Sequence, residues 1–141
     1  MKIEKVFSKV LLDDGKIIRK RVFIEEQGFK DEFDRYDDKA IHLVMYYNQQ
    51  AVATGRLFTK DPEKKTYIIG RLAVIKEYRQ LGLGELLVSS LEEKAKEKGA
   101  QKISISAQCR VEEFYKKMGY SSSGDIYFEE YCPHIHMEKI L

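Results

Sequence analysis

The stretch from Ile69 to Ala95, IGRLAVIKEYRQLGLGELLVSSLEEKA, constrains this chain more than any other. Together with Tyr67 and Ile68 its front end is apolar and β-branched, which predicts a strand over 67–75. Its back end sets Leu83, Leu86, Leu87, Ser90, Leu91, Lys94 and Ala95 at helical spacing, which predicts an amphipathic helix. Between them lies Arg79-Gln80-Leu81-Gly82-Leu83-Gly84, a turn with two glycines at the helix mouth. The first N–H groups of a helix lack internal partners and carry the positive end of its dipole. Glycines there remove the Cβ atoms that would hold a bulky anion away. A phosphate or pyrophosphate suits such a place.

The type of phosphate loop can be narrowed. A P-loop needs Gly-Lys-Ser/Thr, and Gly84 is followed by Glu85. A dinucleotide fingerprint needs a third glycine at position 87, which is leucine. What remains is strand, Arg-x-x-Gly-x-Gly, helix. An ordinary strand-to-helix turn fits those six residues too, so the flanking elements have to decide.

Residues 2–7 alternate and predict a first strand. Asp14 is expected as the N-cap of a helix through Ile17, Ile18, Val22 and Phe23 that ends at Gly28, with Arg19, Lys20 and Arg21 on a solvated face. Residues 29–39, FKDEFDRYDDK, suit a mobile loop over a site better than a helix. A hairpin follows, 40–47 and 51–58 around Asn48-Gln49-Gln50. Gly70 within strand 67–75 suggests a bulge or close backbone approach. Gly99 ends the long helix, 102–107 is a strand, and a short helix carrying Val111, Phe114, Tyr115 and Met118 closes at Gly119. A polar stretch over 121–133 leads to a last strand over 134–140, so the chain ends in β or ββ. The helix between 67–75 and 102–107 makes those two strands parallel, and the hairpins are antiparallel. The expected class is α/β (α+β): one domain over 1–141, a mixed sheet of about six or seven strands with helices on both faces.

Composition narrows the partners. The 25 basic and 23 acidic residues are interspersed, giving a net charge of only +2, which argues against nucleic acid or an anionic membrane as the main partner. No apolar run approaches a membrane span, and the charged N-terminus does not read as a signal peptide. Two cysteines, Cys109 and Cys132, make no disulfide framework and suit the reducing cytoplasm. Cys132, His134 and His136 offer three potential metal ligands without a fourth, so no metal is expected.

The order of elements and the Arg79–Gly84 turn resemble the GNAT superfamily of N-acetyltransferases. Phe114-Tyr115-Lys116-Lys117-Met118-Gly119-Tyr120 looks like that family's FYxKxGF segment. Val22–Gly28 (VFIEEQG) and Pro133–Met137 (PHIHM) further resemble its ElaA-like subgroup. The resemblance covers nearly the whole chain. It implies acetyl-CoA as co-substrate, with pantetheine against the backbone of Leu72, Ala73 and Val74 where strands 67–75 and 102–107 splay apart. Arg79, Gln80, Leu81, Gly82, Leu83 and Gly84 would hold the pyrophosphate, and Gln108, Phe114 and Lys117 would complete the coenzyme contacts.

By the same resemblance the reaction is direct transfer of an acetyl group to a primary amine of a small molecule or protein. An ammonium of ordinary pKa, near ~10.4, must first lose a proton. The N–H of Ala73 or Val74 would steady the oxyanion. Tyr115 would protonate the leaving thiolate, although a packed helix aromatic is the alternative role. The base is open between Glu26, His134 and a chain of waters. Other readings remain: an acyl-CoA-binding sensor or scaffold without turnover, or an acyltransferase for a longer acyl group. Loops 29–39 and 121–133 would set specificity, their acids suit a cationic acceptor, and homodimers are common in the family.

Overall fold

The computed structural model describes Met1–Leu141. Seven strands form one sheet: β1 (Glu4–Ser8), β2 (Ile41–Tyr47), β3 (Gln50–Phe58), β4 (Thr66–Val74), β5 (Lys102–Gln108), β6 (Ser121–Glu129) and β7 (Cys132–Ile140), in the order β1-β2-β3-β4-β5-β7-β6. Every neighbouring pair is antiparallel except β4 and β5. Their connection carries α2 (Leu83–Glu97), as a parallel crossover requires. The polar 121–133 stretch thus contributes a strand of its own. Ser121–Asp125 has little intrinsic β preference, and pairing with β7 imposes the extended chain, with a break in register where Gly124 takes φ +77°.

Helices lie on both faces, and two adjacent residues of β3 show it. Thr54 lies beside Gly15 of α1 (Asp13–Arg19), while a Cβ on Gly55 would meet Leu87 and Leu91 of α2. Successive side chains on a strand point to opposite faces, so α1 and α2 flank the sheet. The α2 stripe buries Leu83, Leu87, Val88, Leu91 and Ala95 in a core with Ile69, Ile103, Ile105 and Met137. The short α3 (Glu112–Lys117) sits beside α2. Phe114 is the nearest group to Gly84, and Tyr120 just beyond α3 hydrogen-bonds Glu92 at 2.7 Å.

The N-terminal helix departs from expectation in three ways. It is capped by Leu12 without a side-chain bond, and Asp14 instead accepts a hydrogen bond from the Tyr46 hydroxyl at 2.7 Å. It then widens into a π-helical segment (Lys20–Glu26) before Gly28 ends it at φ +77°. Arg19, expected in solvent, is 1% exposed. Acids from the 29–39 segment fold back over it, a long-range event that helical periodicity cannot register. Those ion pairs also tie the expected loop down, and Asp34 caps a turn of 3-10 helix (Arg35–Asp38) within it.

β4 carries the other local signal. Opposite Gly55, register slips so that Thr54 faces Ala73 while Arg56 faces Gly70. The bulge falls on Arg71 and Leu72, next to Gly70, and Arg71 takes φ +53°. Only a residue without a Cβ fits across from it: a Cβ on Gly55 would lie 2.7 Å from Leu72 and 2.9 Å from Leu91.

Candidate active site

The parallel pair does not run its full length. β4 and β5 are paired at Thr66–Lys102, Tyr67–Ile103 and Ile68–Ser104, and there the ladder stops. Beyond it, β4 continues to Val74 and β5 to Gln108 with no strand between them. The backbone edge of β4 that faces the gap is therefore open, and a cleft of about 810 Å³ occupies the space. Ile68–Val74 form one wall, and Ser104, Ile105, Ser106 and Gln108 the other. Ligands bind in open α/β sheets at such a parting, beyond the carboxyl ends of strands.

A second hollow of about 410 Å³ adjoins the first and shares Gln27, Leu72, Ala73, Val74, Gly84, Arg110 and Phe114 with it. It contains the mouth of α2: Arg79, Gln80, Gly82, Leu83, Gly84 and Glu85. The first backbone bond of the helix runs from Leu86 N–H to Gly82 O. Gly82 offers no side-chain cap, so the N–H groups of Leu83, Gly84 and Glu85 have no internal acceptor. Gln80 at φ +67° and Gly82 at φ +80° curl the loop around this spot. These residues fit an anion such as a pyrophosphate, and the parted strands fit a thin polar chain leading inward from it. Leu81 points away and is 53% exposed. Arg79 lies at the site with its guanidinium engaged: Nε donates to Val74 O at 2.9 Å and Nη2 to both oxygens of Glu26 at 3.0 and 2.8 Å. Of the remaining expected coenzyme contacts, Gln108 and Phe114 line the cleft, while Lys117 is exposed and lines neither hollow.

The three expected catalytic residues fall in three different settings. Tyr115 lines the cleft, edge-on to Phe114 and Tyr120, and its hydroxyl makes no hydrogen bond with protein. Burial pushes the phenol up to about 12, against a weaker pull from Arg110, so it stays protonated at working pH and available as a donor. Glu26 is bound to Arg79 and lines neither hollow. His134 is 4% exposed and lines the cleft at the end of β5, opposite Gln108 in the ladder. Its Nδ1 lies 3.0 Å from Cys132 O, which places a proton on Nδ1, and its Nε2 is 3.3 Å from Glu129 Oε2.

Sequence reading missed an ionic cluster that walls the far end of the cleft. Arg19 grips Asp37 with both terminal nitrogens (2.7 and 3.1 Å), and Arg56 grips Asp34 (2.6 and 2.9 Å) while also reaching Asp37 at 2.9 Å. Arg71, held out of the strand line by its bulge, donates through Nε to Glu32 O at 3.0 Å, and the same nitrogen sits 2.8 Å from Glu32 Oε1. His42, buried in β2, places Nε2 2.9 Å from Asp37 O. Burial outweighs the arginines at Glu32 and raises its carboxyl to about 7. At Asp37 burial pushes the other way from the result: the hydrogen bonds and charge of Arg19 prevail and hold it at about 2. The signal available in sequence was the density of acids in 29–39, but their partners lie 13 to 39 residues away.

The β6–β7 turn closes the cleft from above. Glu130 accepts from the backbone N–H of Lys30 and Asp31 at 2.9 to 3.1 Å, Tyr131 donates to Gln27 O, and Phe29 and Tyr131 rings meet at 5.3 Å. No helix is long and apolar enough to cross a membrane.

Comparison with known proteins agrees with this geometry. YyaT of Bacillus subtilis, an uncharacterized protein, is 36% identical over 144 residues, 99% of this chain and 95% of its own. The uncharacterized N-acetyltransferase YjcF of the same organism is 32% identical, covering 91% of each chain. Escherichia coli ElaA shares the fold, with a TM-score of 0.82 at 23% identity over 98% of both chains. A GNAT family acetyltransferase from Elizabethkingia anophelis, solved with acetyl-CoA bound, superposes at TM-score 0.78 with 18% identity over 99% of this chain and 98% of that one. The sequence profile of the acetyltransferase (GNAT) domain matches residues 13–141, and with that match, the relatives and the parted strands together, this chain belongs to the GNAT acetyltransferase family.

Proposed function

We propose that the protein is an acetyl-CoA-dependent N-acetyltransferase of the cytoplasm that moves the acetyl group directly to a primary amine within a ternary complex. The observation that carries this reading is the parting of β4 and β5 after Ile68 and Ser104, with the uncapped mouth of α2 in the hollow that adjoins it. Pyrophosphate would rest on the N–H groups of Leu83, Gly84 and Glu85, and pantetheine would run along Leu72–Val74. The thioester would then lie near Tyr115, whose hydroxyl would give its proton to the leaving thiolate. A backbone N–H of Ala73 or Val74 would receive the developing oxyanion.

Thermal-shift titration with acetyl-CoA tests the donor half, with ATP and NAD as controls. At 100 times its dissociation constant a ligand stabilises the native state by roughly 2.7 kcal/mol. A shift selective for acetyl-CoA supports the reading, and none at saturation overturns it. Competition by longer acyl-CoA thioesters decides the acyl group: tighter binding of a longer chain would replace acetyl by that chain. Release of free CoA thiol only when an amine is added separates an enzyme from a binding protein.

A further inference from the structure

The 29–39 segment turns its acids inward and leaves cations outside. Glu32, Asp34 and Asp37 are held by Arg19, Arg56 and Arg71. Arg35, Lys39 and Lys60 are exposed, and none of them is ion-paired with the nearby Asp31, Asp38 or Asp61, or with any other acid. They gather instead on one ring: their charged groups lie 5.1, 5.7 and 5.2 Å from the centre of Tyr36. Arg35 Nη2 also donates to the Tyr36 hydroxyl at 3.1 Å, and that bond, with Lys60 beside it, holds the phenol below its ordinary value. Each cation is drawn to the ring face, but the three repel one another, and a bound anion relieves that repulsion. The platform is fixed, because Tyr36 stacks on the buried Phe58 with centroids 4.7 Å apart and an interplanar angle of 16°. Tyr36, Phe58 and Lys60 all line the cleft. Phe58 pairs with Ile68, where β4 still joins β5, so the platform stands at the closed end, away from the donor stretch Leu72–Val74. From Ile68 to Ala73 the strand spans up to about 15 Å.

We propose that Arg35, Lys60 and the Tyr36 hydroxyl seat an anionic group of the acceptor, a carboxylate or a phosphate, at the end of the molecule remote from its amine. This rests on the acyl-transfer reading above and names its substrate class: an amine that also carries a negative charge, the two joined by a long spacer. Lys39 adds to the field without lining the cleft. The expectation that the acids of 29–39 select a cation is thereby reversed, because Arg19, Arg56 and Arg71 neutralise those acids within the wall and the cations on Tyr36 remain to act on a ligand. A charged donor on an anion makes a stronger hydrogen bond than a neutral one, so a carboxylate or phosphate gains more here than a hydroxyl does.

8-Aminooctanoate and 8-aminooctyl phosphate are the probes, 8-amino-1-octanol is the neutral control and 3-aminopropanoate the short one. Ring ¹³C NMR of tyrosine-labelled protein reports binding without any turnover, the Tyr36 signal being the one lost in Tyr36→Phe. At least one long anionic probe should shift that signal saturably, and the alcohol should not. No saturable shift, or an equal one from the alcohol, overturns the seat. Lys60→Met keeps the stem and removes the charge at an exposed position, and it should weaken the response about three- to tenfold. Unchanged affinity in that variant overturns the proposal. In thiol-release assays the better anionic probe should exceed the alcohol about tenfold in kcat/KM, through KM, and the preference should shrink as salt rises. Equal kcat/KM for the two overturns the seat, and so does an equal advantage for 3-aminopropanoate, which is too short to reach the closed end. A saturable Tyr36 response with no thiol release from any amine keeps the anion site and sinks the acyl-transfer reading instead.

Discussion

Arg79 and Glu26 are joined by two hydrogen bonds of 3.0 and 2.8 Å, which tie the loop before α2 to the end of the π-helical segment across 53 residues of sequence. Sequence reading assigned the first to the coenzyme and considered the second as a base. The pairing gives both a shared role: the cation beside the anion site is held in place and partly neutralised. With its carboxylate tied to Arg79 and outside the cleft, Glu26→Gln should leave the turnover number within about threefold of wild type. It should also tighten acetyl-CoA binding at low salt by freeing the Arg79 charge, and the gain should fade as salt rises. A drop in turnover of about 10² would restore Glu26 as the base.

Tyr115 is buried, protonated and unbonded in the cleft. Tyr115→Phe keeps the ring packing against Phe114 and Tyr120 and removes only the donor. Turnover should fall by about 10–10³-fold with little change in melting temperature, measured by thiol release and calorimetry. Unchanged turnover would make Tyr115 a packing residue.

Asp37 is held at about 2 because Arg19 and Arg56 overcome the cost of its burial. A folded-state pKa below the unfolded one adds stability above the unfolded value and loses it as pH falls through the folded one. The acid limb should therefore lie between about pH 4 and pH 2, from the ordinary 3.8 down to about 2. Asp37→Asn should lose about 2–5 kcal/mol at neutral pH, because it leaves Arg19 underpaired in the interior. Chemical denaturation across that pH range checks both statements.

Glu32 works in the opposite sense. Burial raises it from 4.5 to about 7, so the folded state binds its proton more tightly than the unfolded chain does. Its contribution to stability is greatest below pH 4.5 and is lost as pH rises to about 7. Glu32→Gln should flatten the stability slope between those two pH values, and a slope equal to wild type would contradict the assignment.

Gly55 faces the β4 bulge with no room for a side chain. Gly55→Ala should cost about 1–3 kcal/mol and Gly55→Val more, as Leu72 and Leu91 are forced from their rotamers. Because Leu72 also lines the cleft, acetyl-CoA affinity should fall with stability. Urea melts of both variants give the ranking.

Periodicity and turn chemistry are local, and what they govern was legible. The Ile69–Ala95 stretch folds as strand, glycine turn and helix as its pattern dictates, and Gly28, Gly99 and Gly119 all end helical segments at positive φ. The parallel relation of β4 and β5 followed from the helix between them. Tyr115, His134 and the α2 mouth could be singled out because each is marked within a few residues of chain, and the folded chain sets them along the cleft or the hollow beside it. Tertiary structure alone decided the rest. Burial of Arg19, engagement of Arg79 by Glu26, pairing of Ser121–Glu129 with β7 and the meeting of Glu129 with His134 all bring together groups whose attraction acts only once the sheet has formed. A charged side chain shows the same letter in solvent or core. Which of the two it occupies depends on distant partners that can repay the loss of water, and only the folded chain supplies them.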